Sequence, residues 1–153
     1  MAGLDDADAM RLAIELARAR LGLTGDNPAV GCVIVKGGAI VGQAATAEGG
    51  RPHAEEQALA MAGAAAHGAV AYVTLEPCGA RNSGATSCAE LLIAAGVARV
   101  VVAAADPSPM ASGRGAGRLS AARVPLETGV LAGEAAPLYA DYLSRLATTR
   151  FNG

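Results

Sequence analysis

The chain has 153 residues, 52% of them apolar and 3% aromatic, with a formal net charge of -2. That length suits one domain built on Val, Leu, Ile and Ala; the apolar content excludes a disordered chain, and the charge offers no basic field for a nucleic-acid backbone. No apolar run approaches the roughly 18 residues of a transmembrane helix, and the acidic stretch Met1 to Asp8 lacks a signal peptide's basic start and apolar middle.

A cytoplasmic protein is therefore expected. In that compartment thiols stay reduced, so the three cysteines read as metal ligands or core residues rather than disulfides. Asp5 or Asp6 is placed to cap a first helix running to about Leu21, with Met10, Ala13, Ile14 and Ala17 as its apolar stripe. Thr24 to Pro28 is a turn cluster. Val30 to Val35 reads as a buried strand, Lys36-Gly37-Gly38 as a hairpin turn, and Ala39 to Ala44 as the partner strand. A glycine-rich loop, Thr46 to Pro52, leads to a helix over His53 to Ala66 that closes near His67-Gly68. Then come a strand (Val70 to Leu75), a loop (Glu76 to Ala85), a helix (Thr86 to Ala95) stopped at Gly96, and a strand (Arg99 to Ala104). A loop containing Asp106-Pro107-Ser108-Pro109 follows, with a short helix near Gly117 to Ala122. A short strand (Val124 to Glu127) and a helix from about Leu131 to Leu146 complete the pattern. Helices alternating with strands after an opening hairpin predict an α/β domain with a five-stranded mixed sheet and helices on both faces.

Three segments carry candidate chemistry: His53-Ala54-Glu55 at a helix start, Pro77-Cys78 just after a strand, and Cys88 in the first turn of the next helix. Helix N-termini favour anions, which helps both cysteines ionise. One imidazole and two thiolates form a three-ligand zinc site whose fourth position stays open to water, the mark of catalytic rather than structural zinc. Glu55 is then a spare acid, free to take a proton from water and pass it on. Taken singly, a His beside a Glu at a helix start is a cap or surface pair, and a buried Cys is core packing. Together they read differently, because three of the chain's two histidines and three cysteines fall where this chemistry needs them. Cys32, inside the run Val30 to Val35, reads as core. His67, beside Gly68 at a helix end, is given no catalytic role.

With these segments in hand, the sequence resembles the deaminase domain of bacterial riboflavin-biosynthesis proteins, within the cytidine deaminase superfamily. The resemblance rests on Asn27-Pro28-Ala29-Val30-Gly31-Cys32-Val33-Ile34-Val35, Gly50-Arg51-Pro52-His53-Ala54-Glu55 and Tyr72-Val73-Thr74-Leu75-Glu76-Pro77-Cys78. It continues through Thr86, Cys88, Ala95-Gly96-Val97, Arg99-Val100-Val101, Asp106-Pro107 and Gly129-Val130-Leu131. Nine residues separate Cys78 from Cys88; most superfamily branches have far fewer there, and the riboflavin branch has one less. The resemblance implies a three-layer α/β/α fold and one zinc per chain held by His53, Cys78 and Cys88, with Glu55 shuttling protons. It implies substrate contacts from Asn27, Ala54, Thr46, Arg81, Thr86, Asp106 and Ser108. The substrate would be a diamino-ribosylamino-pyrimidinone 5′-phosphate, losing ammonia from ring carbon 2. A homodimer or tetramer is expected by the same analogy, with no nucleic acid or membrane partner.

Two departures bear on that expectation. Gly79 and Ala80 stand where the family has Ser-His, and Ala85 replaces a basic residue that helps hold the substrate. Arg81 and Arg51 are candidate replacements, whereas Arg114 reads as a solvated surface residue. The family protein also continues into a reductase domain, so residues 1–153 are expected to form a single deaminase domain without it. The alternatives are a related zinc deaminase acting on another nucleobase, nucleoside or pterin-like ring, and a non-catalytic zinc-stabilised binding module.

Overall fold

The structure, a computed structural model, describes residues 3–78, 87–105 and 114–152. Helix α1 (Asp6–Arg18) is capped by Asp5, whose carboxylate accepts the Asp8 N–H at 2.7 Å. Its buried stripe is Ala9, Met10, Ala13, Ile14 and Ala17. The helix stops before the expected Leu21 because the stripe ends at Ala17; Leu21 and Leu23 are exposed, and no burial supports a further turn. Strands β1 (Gly31–Lys36) and β2 (Ala39–Ala45) form the expected hairpin. Its two-residue turn, Gly37-Gly38, has positive φ at both positions, the geometry that matches strand twist.

Helix α2 (Ala54–Ala62) ends at Gly63, where φ is 56°, and Gly63–Ala66 form a 3-10 turn rather than the last turn of the helix expected to reach Ala66. Strand β3 (Val70–Leu75) leads towards α3 (Cys88–Ala95), which is capped by Ser87 and closed by left-handed Gly96. Strand β4 (Arg99–Ala104), α4 (Arg114–Ala121), β5 (Leu126–Thr128) and α5 (Ala132–Asn152) follow. The last strand starts two residues later than expected. The Val124 N–H is spent on the Leu119 carbonyl at the end of α4, and Pro125 has no N–H to give a ladder.

The sheet order is β2-β1-β3-β4-β5. β1 runs antiparallel to both neighbours, and β3, β4 and β5 are parallel, so the mixed five-stranded sheet is as expected. α1 packs on β1 and β3 and touches α5, while α2 packs on β1 and β2, α3 lies along α2, and α4 along α3. Two glycines show how closely the layers meet. A Cβ at Gly31 would collide with the Ala13 carbonyl of α1, and one at Gly42 with the Ala58 carbonyl of α2. Gly42 pairs with Ile34; by strand alternation Cys32 and Ile34 face α2, whereas Gly31, Val33 and Val35 face α1. Val33, Ile34, Val73, Val100, Val101 and Val102 are wholly buried between the layers.

The start of α1 is held to the sheet by charge. Asp6 accepts from the Tyr72 hydroxyl at 2.6 Å and from both terminal nitrogens of Arg99 at 2.8 and 3.2 Å. The Arg99 guanidinium holds the Asp6 carboxyl below its usual range, and burial together with Asp6 pushes the Tyr72 hydroxyl up to about 12.

Candidate active site

The chemistry-bearing residues gather beyond the C-terminal end of β3, where the N-termini of α2 and α3 meet. Open α/β sheets bind ligands at such carboxyl edges. His53 is the N-cap residue of α2 with extended backbone, and its side chain makes no capping bond, so the ring is left for other work. Gln57, one turn on, anchors this helix start by donating to the Ala45 carbonyl at 2.7 Å and the Pro52 carbonyl at 3.1 Å.

Cys88 is the first residue of α3. Its N–H points at Cys78 Sγ at 3.3 Å, and the Ala89 N–H donates to the Cys78 carbonyl at 3.1 Å. Two amides of the first turn, which lack partners inside a helix, are thus spent on Cys78, one on its sulfur and one on its carbonyl. Ser87 supports this turn through a bond from the Glu90 N–H to its hydroxyl at 3.2 Å.

His53 Nδ1 lies 3.3 Å from Cys88 Sγ, and the ligating atoms of His53, Cys78 and Cys88 all fall within 4.8 Å of one another. Tetrahedral zinc, with bonds of about 2.0–2.1 Å to nitrogen and about 2.3 Å to sulfur, places such N and S atoms roughly 3.6 Å apart. The cluster therefore fits a zinc ion, with Cys78 half-buried and Cys88 fully buried. Among the described residues it is the one His/Cys/Asp/Glu group that fits a metal, and it holds three ligands rather than the four of a closed structural site.

Glu55, one residue beyond Ala54, is 4% exposed. Burial pushes its carboxyl up to about 7, against the opposing pull of a backbone N–H, the His53 charge and the Cys88 thiol. A carboxyl balanced near neutrality both accepts and donates a proton. Cys32 is fully buried, and burial and the Glu55 charge hold its thiol well above its usual range. It is a core residue packed near the acid, as its sequence context implied.

The other expected site residues separate into groups. Ala54 is fully buried and opens α2 beside His53. The Asn27 amide donates to the Gly50 carbonyl at 2.9 Å, tying its turn to the loop that enters α2. Thr46 is buried, and its hydroxyl accepts the Val30 N–H at 2.9 Å and donates towards the Pro28 carbonyl at 3.3 Å, which fastens β1 to the end of β2. Arg81, Thr86, Asp106 and Ser108 lie outside the described residues. Arg51 and Arg114 are both exposed. His67 is exposed and lies against Gly96, leaving no room there for a Cβ. Glu76, two residues before Cys78, is a buried carboxyl that the motif reading passed over. Its signal in the sequence is a charge placed straight after the mainly apolar strand Val70–Leu75.

Residues 4–104 match the family described as the cytidine and deoxycytidylate deaminase zinc-binding region. The chain is 46% identical over 145 residues to the riboflavin biosynthesis protein RibD of Escherichia coli, an alignment that covers 95% of this chain and 39% of that protein. It is 44% identical over 146 residues to the chloroplastic riboflavin biosynthesis protein PYRD of Zea mays, covering 95% and 37%. Among solved structures, Acinetobacter baumannii RibD superposes with a TM-score of 0.87 at 45% identity, covering 94% of this chain and 40% of that one. The Thermotoga maritima diaminohydroxyphosphoribosylaminopyrimidine deaminase/5-amino-6-(5-phosphoribosylamino)uracil reductase gives a TM-score of 0.87 at 33% identity, covering 94% and 42%. The chain thus spans about two fifths of the length of these relatives.

Proposed function

The chain belongs to the cytidine and deoxycytidylate deaminase zinc-binding family, and from that premise we propose that it hydrolyses the amine at ring carbon 2 of a diamino-ribosylamino-pyrimidinone 5′-phosphate. Water supplies the oxygen of the new ring carbonyl, and ammonia leaves. The observation that carries the reading is the convergence of His53, Cys78 and Cys88 beside the buried carboxyl of Glu55. The relatives named for riboflavin biosynthesis support the choice of ring, and the Thermotoga maritima relative supports the phosphate.

His53, Cys78 and Cys88 would hold the metal, with the Cys88 N–H at the start of α3 pointing at the Cys78 sulfur. When bound, zinc supplies a water whose pKa falls from about 15.7 towards roughly 7. Glu55 would take one proton from the attacking water and pass it to the ring nitrogen, then carry the second, from the hydroxyl formed at ring carbon 2, to the amine as its C–N bond breaks and the ring carbonyl forms. The first amide of α2, at Ala54, and the Asn27 side chain meet the ring. No helix among the described residues is long and apolar enough to cross a membrane. The reading also places the protein in the cytoplasm, where the two thiols it needs stay reduced. It assembles as a homodimer or tetramer, which light scattering on the eluting protein checks.

The test is ammonia release from the phosphorylated diaminopyrimidinone by zinc-replete protein, with Glu55→Gln beside it. Wild-type protein is expected to release ammonia, and the variant to keep its zinc while losing about 10²- to 10⁴-fold in turnover. Bound zinc without release would overturn the substrate, and amino-substituted nucleobases, nucleosides and pterin-like rings would then be assayed. Equal function in both proteins would instead mark a zinc-stabilised module in which Glu55 does no chemistry.

A further inference from the structure

On the face of the sheet opposite α2, buried polar groups form a single chain. The Gly31 N–H donates to Thr74 Oγ1 at 3.0 Å, and the Tyr139 hydroxyl donates to the Ala29 carbonyl at 3.0 Å. Thr74 Oγ1 and Tyr139 Oη are 2.5 Å apart. A hydroxyl carries one proton. Tyr139 spends its proton on Ala29, so Thr74 donates to Tyr139, and the direction of the whole chain is set: Gly31 N–H to Thr74, Thr74 to Tyr139, Tyr139 to Ala29. Thr74 is 0% exposed and Tyr139 1%. Water cannot substitute for either partner, so a break leaves a buried polar group unsatisfied.

Both ends of this chain fall on one short segment, Asn27 to Gly31, which leads into β1. The same segment is fastened from the other side by the bond from the Val30 N–H to Thr46 and by the Asn27 amide on Gly50, whose loop runs into His53. Strand alternation turns the next side chain, Cys32, towards α2. The segment is thus gripped from behind by α5 while its front borders the start of α2.

We propose that Tyr139 is a positioning residue of the deaminase site: acting through Thr74 and the Ala29 carbonyl, it fixes the Asn27–Gly31 segment as the wall against which the substrate ring is held. This rests on the substrate reading given above. The match to the zinc-binding family model ends at residue 104, short of α5. The hydrogen bonds bring it in.

The experiment compares Tyr139→Phe, Thr74→Val, the double variant and Thr74→Ser in the zinc-loaded 153-residue chain. KM and kcat for the phosphorylated diaminopyrimidinone, zinc content, and amide hydrogen exchange over residues 27–31 and in β4 are read for each. Tyr139→Phe and Thr74→Val are expected to raise KM about five- to tenfold, the value of one lost hydrogen bond, with kcat within about twofold and zinc retained. The double variant is expected to be no worse than the poorer single one, because the chain is already broken. Thr74→Ser restores the hydroxyl and is expected to keep the wild-type KM. Exchange over 27–31 rises in the first three variants while β4 stays protected. An unchanged KM in active variants, or a joint fall of kcat, zinc content and β4 protection, overturns the proposal. If wild-type protein does not turn over this ring, the substrate reading fails and exchange alone decides: faster exchange confined to 27–31 upholds the grip, and unchanged exchange removes it.

Discussion

Replacing Gly115 by Ala tests the site's support without touching a candidate ligand. Gly115 is buried at the start of α4, and a Cβ there would sit 3.1 Å from the Pro77 carbonyl carbon, closer still to its oxygen, and 3.7 Å from the Cys78 carbonyl carbon. All three are backbone atoms that cannot rotate aside, so α4 and the Pro77-Cys78 segment must part by about 1 Å. Overpacking of this kind costs about 1–3 kcal/mol, offset by about 0.5–1 kcal/mol from removing a helical glycine. The net loss is expected to be about 1–2 kcal/mol, at about 2–4 °C of melting temperature per kcal/mol for a chain of this size. A zinc–sulfur bond of about 2.3 Å tolerates little of that movement, so zinc affinity should fall about 10- to 100-fold. Gly117 is the control. It lies in the same helix with nothing within 4 Å of its would-be Cβ, so Gly117→Ala should stabilise by about 0.5–1 kcal/mol and leave zinc binding alone. Thermal melts of the zinc-loaded proteins, with competition against a coloured chelator, read both quantities. If Gly115→Ala melts at or above wild type and competes equally well, α4 does not rest on the Pro77 carbonyl.

Acid should uncouple α1 from the sheet. Asp6 titrates below its ordinary 3.8 because of Arg99 and Tyr72. Its contribution is therefore fully present above that value and is lost as the pH falls through the lowered one. With both ionic partners about a third exposed, the gap between wild type and Asp6→Asn in urea should be about 1 kcal/mol or less at neutral pH. It should close in strong acid, and a gap of equal size at both ends of the titration would refute the ion pair's role. Thiol chemistry checks the metal cluster. In zinc-loaded protein none of the three cysteines should react quickly. After chelation half-exposed Cys78 should react first, buried Cys88 more slowly, and wholly buried Cys32 only on unfolding. Fast labelling of Cys32 in folded protein, or labelling of Cys78 that ignores zinc, would contradict the arrangement.

Much of the fold could be read from the sequence because it is locally encoded. The Asp5 cap, the Gly37-Gly38 turn, the runs that became β1, β3 and β4, and Gly96 as a helix stop each depend on a few neighbouring residues and on a side-chain period. The candidate ligand cluster was legible for the same reason. His53 needs only a helix start, Cys78 only a strand end and Cys88 only the first turn of the next helix, and the fold brings those three termini together. Local preference also misled where a tertiary bond intervened: Val124 has strand character, but its N–H closes α4.

The tertiary structure decided everything that depends on partners distant in sequence. The hydroxyl of Thr46, a residue expected at the substrate, fastens the start of β1 through bonds to residues 16 and 18 positions away. Gly115, unremarkable in a glycine-rich chain, proves to be where α4 meets the loop before Cys78. Tyr139 stands 65 residues from Thr74 and 110 from Ala29, and nothing within a helical or strand period of any of them announces the pairing. Residue type and spacing set which element forms and which donor atoms a site can offer. Which buried polar group satisfies which, and where two backbones touch without room for a methyl group, follow only from how the finished layers stack, because those contacts are made by residues the chain holds far apart until it folds.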